Sequence, residues 1–488
     1  MNFRYIFYIV GIFLILLGLA MFAPATIDFV SDSSDWKSFV GAGTFTIVIG
    51  FCLYFINRGE IIDLQVRDCF LITSVSWLLI GTFAAIPLFL SKLGLSYTDA
   101  FFETIAGLTT TGSTIFSGLD NLPRGILLWR GLLQWIGGIG IIMLATSIMP
   151  FLGVGGMRLF YTESSTQSTN IMLRIKKVAQ FIAMIYFGLT LICAMAYYFS
   201  GMSLFEASIH SMTTLSTGGF STSDASLGHF SNPAIHRIAI LFMILGSLPF
   251  LLYIRALQGH SNELWKDEQI RFYFGFLLAT IFILTIWLWG TGEEPFFEVL
   301  DHVAFHVTSI VTTTGFTTTD YSVWGTLAFE MFFFLLFIGG CSGSTASGIK
   351  IFRFLVIYKL IQIKMKRLLN PRIVIFPKFN DNTISESAKD SVMAFFGCYV
   401  FFTCGLILML STLGLDFITS ASAAVTAIAN VGPGLGDIIG PSGNFQSLPD
   451  SAKWLLSFGM LAGRLELFTI LIMFSPRFWQ ARRTVTRP

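Results

Sequence analysis

The chain has 488 residues; 54% are hydrophobic, 12% are charged and the mean hydropathy is +0.74. An ordinary soluble domain carries about 25% charged residues, so this composition excludes a soluble globular protein and points to a polytopic membrane protein. The formal net charge of +2 says little by itself; the placement of the charges says more.

Arg4 precedes an apolar run from Tyr5 to Phe22, long enough to span a bilayer at about 20 residues. Ala23-Pro24-Ala25 could mimic a signal-peptidase site, but polytopic proteins rarely need a cleaved signal, and the run reads as a retained first helix. In chain order the predicted spans are 4–27, 38–57, 69–91, 125–149, 175–200, 234–256, 271–290, 324–361, 390–413 and 452–475. Shorter, semi-polar stretches lie between some of them, at 97–109, 203–215, 295–311 and 416–428. These fit re-entrant helices, which are tolerated only when buried in protein or lining a watery cavity.

Each short stretch runs into a Gly segment: Thr109-Thr110-Thr111-Gly112-Ser113-Thr114, Ser216-Thr217-Gly218-Gly219-Phe220-Ser221, Thr312-Thr313-Thr314-Gly315-Phe316-Thr317 and Ala429-Asn430-Val431-Gly432-Pro433-Gly434. One such segment is an ordinary turn. Four of them, each between a short helix and a span, form an internal repeat. Glycine and small hydroxyl residues expose backbone carbonyls, and four carbonyl-rich strands around an axis can replace the water shell of a dehydrated cation. The expected fold is all-α: an N-terminal two-helix region (1–68), then four pseudo-repeats of helix, pore helix, filter and helix around one central pore, at 69–150, 151–260, 261–388 and 389–488.

Taking Gly112, Gly219, Gly315 and Gly432 as origins, the residues five positions on are Ser117, Asp224, Asp320 and Asp437. Carboxylates there would concentrate cations at the outer mouth. Acids near the start of each short helix (Asp99 and Glu103, Glu206, Glu298 and Asp301, Asp416) would stabilise its N-terminus. The opposite, partly negative helix ends would face the pore axis. Small residues recur in the second spans, at Gly137-Gly138, Gly246-Ser247, Gly339-Gly340 and Gly463, and in the first two repeats they read as close helix packing.

The third repeat departs from this pattern. Residues 339–348 are Gly and small polar types, including Gly339, Gly340, Gly343 and Gly348. Such a run sustains no helix in hydrocarbon, so it must line a cavity, and a loop below the filter is a candidate gate. Arg464 lies deep in the last span, where an arginine costs roughly 2.5–3.5 kcal/mol on insertion scales. Free carbonyls of the 339–348 loop are its expected partner, because Glu466, two residues on, does not face it along a helix. His302 and His306, with Glu298 one turn before, could suggest a metal site or a membrane enzyme's acid–base group. His210 has the same offset from its glycine as His306, which favours packing behind a pore helix.

Lys and Arg crowd one set of loops, including Arg58, Arg67, Arg158, Arg174, Lys176, Lys177, Lys364, Lys366 and Arg367, and the tail adds Arg477, Arg482, Arg483 and Arg487. That side is cytoplasmic, with both termini inside. The longest basic loop is 359–389, suited to setting topology, meeting anionic lipid or docking an acidic partner. The loop 151–177 is also long and rich in Ser and Thr. The six scattered cysteines suggest no disulfide framework, and no phosphate-cradling nucleotide fingerprint occurs.

The four Gly segments, the 339–348 run and Gly463-Arg464-Leu465 resemble the superfamily of Trk, Ktr and HKT cation transporters, over nearly the whole chain. The two extra N-terminal spans resemble the longer, TrkH-type subunits of bacterial Trk potassium uptake systems. The resemblance implies potassium uptake across the bacterial inner membrane, with a sodium-dependent Ktr-type subunit as the alternative. It implies K⁺ held by carbonyls of Thr110, Thr111, Gly112, Thr217, Gly218, Gly219, Thr313, Thr314, Gly315, Asn430, Val431 and Gly432. It implies a homodimer and a cytosolic ring of nucleotide-binding regulatory subunits of the TrkA type, with no organic cofactor and no nucleic-acid partner. Sodium-permeable plant relatives carry Ser at the first filter glycine, whereas Gly112 stands here. The Asn-Val-Gly-Pro-Gly of the fourth segment is a departure usual in the family.

Overall fold

A computed structural model of the chain describes residues 3–59, 66–147, 171–292, 294–380 and 382–480. Most of the 151–177 loop, with Arg158, and Arg482, Arg483 and Arg487 of the tail lie outside the described residues. Among the described residues the regular elements are helices, apart from two paired two-residue strands, Lys378–Phe379 and Asn382–Thr383, and one isolated bridge between Ile338 and Ile349. Contacts divide it into two compact units: Met1–Phe101 with Pro123–Ile126 and Leu465–Pro488, and Phe102–Leu122 with Leu127–Arg464.

In the first unit, α1 (Phe3–Ala20), α2 (Phe22–Val30), α3 (Trp36–Ile56) and α4 (Val66–Ala84) are apolar helices. α1 and α3 run antiparallel with glycines at their crossing: a Cβ added at Gly11 or Gly18 would lie 2.8 Å from the carbonyl of Gly50 or Gly43. Without a hydrophobic driving force between helices in lipid, such close backbone approach supplies the packing energy.

The repeats follow. The first short helix is α5 (Tyr97–Leu108), then come α6 (Arg124–Ser147) and α7 (Ile171–Phe199). The second is α8 (Leu204–Leu215), followed by α9 (Pro233–Ser247), α10 (Phe250–Leu257) and α11 (Glu268–Thr291). The third is α12 (Phe296–Val311), followed by α13 (Thr326–Leu335), α14 (Ile351–Leu369) and α15 (Glu386–Thr412). The fourth is α16 (Phe417–Ala429), followed by α17 (Asp450–Arg464). Local signals set the starts: Ser203 and Glu206 form a reciprocal capping box on α8, and Asn232 caps α9 ahead of Pro233. Among the described residues, seven helices are long and apolar enough to cross a membrane.

Three predicted spans are not continuous helices. The segment 234–256 breaks after Ser247, and α9 and α10 meet at 92°. Pro249 has no N–H to continue the ladder, and Leu248 is extended, with ψ 156°. The segment 324–361 is two helices separated by the Gly-rich loop. The segment 452–475 is interrupted at Leu465-Glu466, where Glu466 has φ 64°. The basic stretch 359–389 is not all loop, since α14 continues to Leu369.

Candidate ion-conducting site

The four short helices end in one conformation. The residue two before each central position (Thr110, Thr217, Thr313 and Asn430) is left-handed, with φ of 52°, 52°, 61° and 53°. The next residue reaches back five positions: Thr111 N–H to Ala106 O (2.8 Å), Gly218 to Thr213 (2.9 Å), Thr314 to Ser309 (2.8 Å) and Val431 to Thr426 (3.0 Å). This is a helix C-cap in which threonine, in three of the four, occupies a position that normally takes glycine. β-branched residues at positive φ are genuine outliers, and strain of this kind gathers at functional sites. Gly112, Gly219 and Gly315 are also at positive φ, 85°, 82° and 83°, so only glycine fits comfortably there.

The segments close on one another in chain order. A Cβ on Gly112 would lie 2.2 Å from Gly218 O, and one on Gly219 would lie 1.9 Å from Thr314 O. One on Gly315 would lie 2.9 Å from Gly432 N, and one on Gly432 would lie 3.1 Å from Gly112 O. The four segments that carry the twelve backbone positions named from the sequence thus touch one another in chain order, the fourth closing on the first. Side chains hold parts of it. Gln134 of α6 donates to Gly218 O (2.7 Å) and accepts from Phe220 N–H (3.1 Å). Ser113 donates to Gly432 O (3.0 Å), and Asn430 donates to Thr111 Oγ1 (2.9 Å) and Met460 O (2.9 Å). Glycines of the second spans let α6, α9 and α17 press on the short helices: Cβ atoms on Gly137, Gly246 and Gly463 would meet the carbonyls of Leu108, Leu215 and Ile428, each four residues before its central glycine.

Glu103 does not sit at a helix N-terminus. It lies well inside α5, nine residues before Gly112, and pairs with Arg130 of α6 at 2.7 Å, both about 1% exposed. It also accepts from Thr114 Oγ1 (3.0 Å) and Ile115 N–H (2.9 Å). Asp301 likewise lies inside α12 and pairs with Arg237 on the surface. Asp99, Glu206 and Glu298 do occupy first turns, and Asp416 caps α16. Hydrogen bonds from the Thr419 side chain and N–H hold the Asp416 carboxyl below the usual carboxylate range.

His210 and His306 stand at the Glu103 offset in their own repeats. His210 binds Glu206 O through Nδ1 and Ser221 Oγ through Nε2; His306 binds His302 O through Nδ1, and its Nε2 lies within 3.2 Å of both Thr319 O and Thr318 N, bonding one or the other according to tautomer. Both ring nitrogens are occupied in each, so His302, His306 and Glu298 do not assemble an acid–base site. Among the described residues no group of three His, Cys, Asp or Glu side chains could hold a metal ion, and the six cysteines are free.

The loop 339–348 is bonded to the break between α9 and α10. Thr345 N–H donates to Gly246 O (3.1 Å), Cys341 N–H to Ser247 O (3.0 Å), and Phe250 N–H to Gly343 O (3.0 Å). Each interruption satisfies the backbone groups freed by the other, as a low-dielectric setting requires. The loop also touches the ring, since Ser347 N–H donates to Thr313 Oγ1 (2.8 Å). Arg464, 3% exposed at the end of α17, donates to Thr345 O (2.9 Å) and Ser347 Oγ. Its Nε and Nη2 have no protein acceptor among the described residues.

Two of the three acids five positions past the glycines have structural partners. Asp224 accepts from Gly118 and Leu119 N–H (2.7 and 3.1 Å), and Asp320 accepts from Ser322 N–H and Ser442 Oγ. Asp437 is exposed. Sequence reasoning missed Arg130 and Gln134. Arg130 offers the signal that singled out Arg464, a lone cation inside an apolar span; Gln134 offers no more than a polar residue in an apolar helix.

Residues 36–481 match the family model described as TrkH, cation transport protein. The chain is 44% identical over 474 residues to the Trk system potassium uptake protein TrkI of Halomonas elongata, covering 97% of this chain and 96% of that one. It is 37% identical over 486 residues to the Trk system potassium uptake protein TrkH of Escherichia coli K12, covering 98% and 100%. The fold is similar to the crystal structure of the potassium transporter TrkH from Vibrio parahaemolyticus, with TM-score 0.91, 36% identity, and coverage of 98% of this chain and 100% of that one.

Proposed function

Since this chain belongs to the TrkH family of cation transport proteins, and is a transporter rather than an enzyme, we propose that it carries K⁺ inward through the ring of Gly segments. The observation that carries this reading is the closure of that ring, Gly112 to Gly218, Gly219 to Thr314, Gly315 to Gly432 and Gly432 to Gly112, within one polypeptide.

Carbonyls of the twelve filter positions replace the ion's water. They bear no full charge, so the ion binds and leaves again. The C-terminal ends of α5, α8, α12 and α16 add partial negative charge. Uncapped lone pairs do the ligating; Gly218 O and Gly432 O already accept one side-chain bond each, and a carbonyl has a second lone pair. The 339–348 loop and Arg464 form the gate beneath, the guanidinium opposing a cation until the loop moves. Membrane potential drives uptake with about 2.3 kcal/mol per charge per 100 mV.

The protein works in the bacterial inner membrane with both termini in the cytoplasm, as the loop lysines and arginines dictate. It acts as a homodimer with a TrkA-type cytosolic ring. Rb⁺ uptake into liposomes containing the purified chain, with and without that partner, tests the central reading. Silence in both conditions overturns it.

A further inference from the structure

We propose that the buried Glu103–Arg130 pair is a positioning unit of the filter that holds the first and second Gly segments in register and so sets discrimination of K⁺ against Na⁺. The inference deepens the proposed function and rests on the Gly ring being the filter.

Three nitrogens of Arg130 reach different parts of the ring's outer side. Nε donates to Glu103 Oε1 (2.7 Å), Nη1 to Ser221 O (2.9 Å) and Nη2 to Thr114 Oγ1 (3.2 Å). The guanidinium also stacks 4.1 Å from the centroid of Phe220, next to Gly219. Glu103 in turn receives Thr114 Oγ1 and Ile115 N–H from the first segment. Ser221 is held a second time, through its hydroxyl, by His210. A continuous chain therefore runs from Ile115 through Glu103, Arg130 and Ser221 to His210, crossing from one repeat to the next.

The register supports a common task. Glu103, His210 and His306 each lie nine residues before their central glycine, and each grips the strand two to four residues after it. In the fourth repeat that place is Ala423, and the neighbouring Ser422 donates to Leu435 O instead. The first repeat alone uses a charge. A buried charge is tolerated only when paired and hydrogen-bonded. The pair is neutral as a whole, so it braces the filter without repelling the ion. Lysine cannot replace arginine here, because a single ammonium does not present the planar fork that serves three acceptors in fixed directions.

The test measures Rb⁺ uptake and its inhibition by Na⁺ in proteoliposomes for wild type, Arg130→Lys, Glu103→Gln, Thr114→Val and the filter variant Gly112→Ser. Arg130→Lys and Glu103→Gln are expected to lower discrimination by about tenfold, equivalent to ~1.4 kcal/mol, with a smaller change in Rb⁺ rate. Thr114→Val removes one hydroxyl and leaves the ion pair, so it should shift discrimination in the same direction by less. If Arg130→Lys and Glu103→Gln do not elute as folded protein, Thr114→Val decides alone. A shift in Gly112→Ser with none in the folded brace variants overturns the positioning role and leaves the filter reading standing. No shift in any variant removes the filter reading and this inference with it.

Discussion

The side-chain hydroxyls of Thr217 and Thr345 lie 3.2 Å apart, one in the second Gly segment and the other in the 339–348 loop. Thr345 also presents its carbonyl to Arg464 and its N–H to Gly246. One loop residue thus joins the second Gly segment, the α9–α10 break and the buried arginine, and the loop cannot move without exchanging all three sets of bonds.

Weakening that junction should open the pathway. Arg464→Ala removes the cation and two bonds to the loop, and is expected to raise Rb⁺ flux by about tenfold, or ~1.4 kcal/mol off the barrier. Shortening 339–348 should act in the same direction. Stopped-flow Rb⁺ flux in proteoliposomes checks both, and unchanged flux in both variants removes the gate from the mechanism.

Gly112→Ser should relax selection of K⁺ over Na⁺. The new Cβ would fall 2.2 Å from Gly218 O, and Gly112 holds φ 85°, so the first two segments must separate. A left-handed non-glycine residue costs roughly 1–2 kcal/mol before any clash is counted. Na⁺ and Rb⁺ uptake compared in the same vesicles measure the change. His302→Ala, whose ring makes no hydrogen bond to a Gly segment among the described residues, serves as the contrast and should leave the ratio unaltered.

Much of this was legible in the sequence, for a reason visible in the Gly segments. A repeated backbone task leaves a repeated trace, and the short helices lie within one residue of the stretches read from pattern. The broken spans were harder. Pro249 alone did not say that α9 would end, because proline also kinks helices that continue. Arg130 stays hidden because its partner, Glu103, reads as a helix-end acid from spacing alone. Pairing between separate helices leaves no periodic trace along the chain, and Gln134 was missed for the same reason.

Gln134→Leu tests the support of the second segment. The variant keeps the volume but strips the donor from Gly218 O and the acceptor from Phe220 N–H. Leaving a buried polar group unsatisfied costs about 1–3 kcal/mol each. The expected result is a lower melting temperature and reduced Rb⁺ uptake, read by thermal unfolding in detergent and by vesicle flux. Unchanged values in both would mean that the segment holds its shape without α6.

Gly463→Ala tests how closely α17 must approach the fourth short helix. A Cβ there would lie 1.9 Å from Ile428 O, two residues before the left-handed Asn430. Backbone, not a yielding side chain, stands in the way, so α17 must retreat or α16 must shift. Overpacking of this kind costs about 1–3 kcal/mol. Gly188→Ala, in α7, is the matched control: nothing lies within 4 Å of its added Cβ, and the loss of a mid-helix glycine should be neutral or stabilising by about 0.5–1 kcal/mol. The two variants differ by the same methyl group, so a lower melting temperature and altered flux in Gly463→Ala alone would locate the effect at this contact. Equal behaviour of the two would show that α17 has room to spare and that its glycine is not what sets the filter's fourth side.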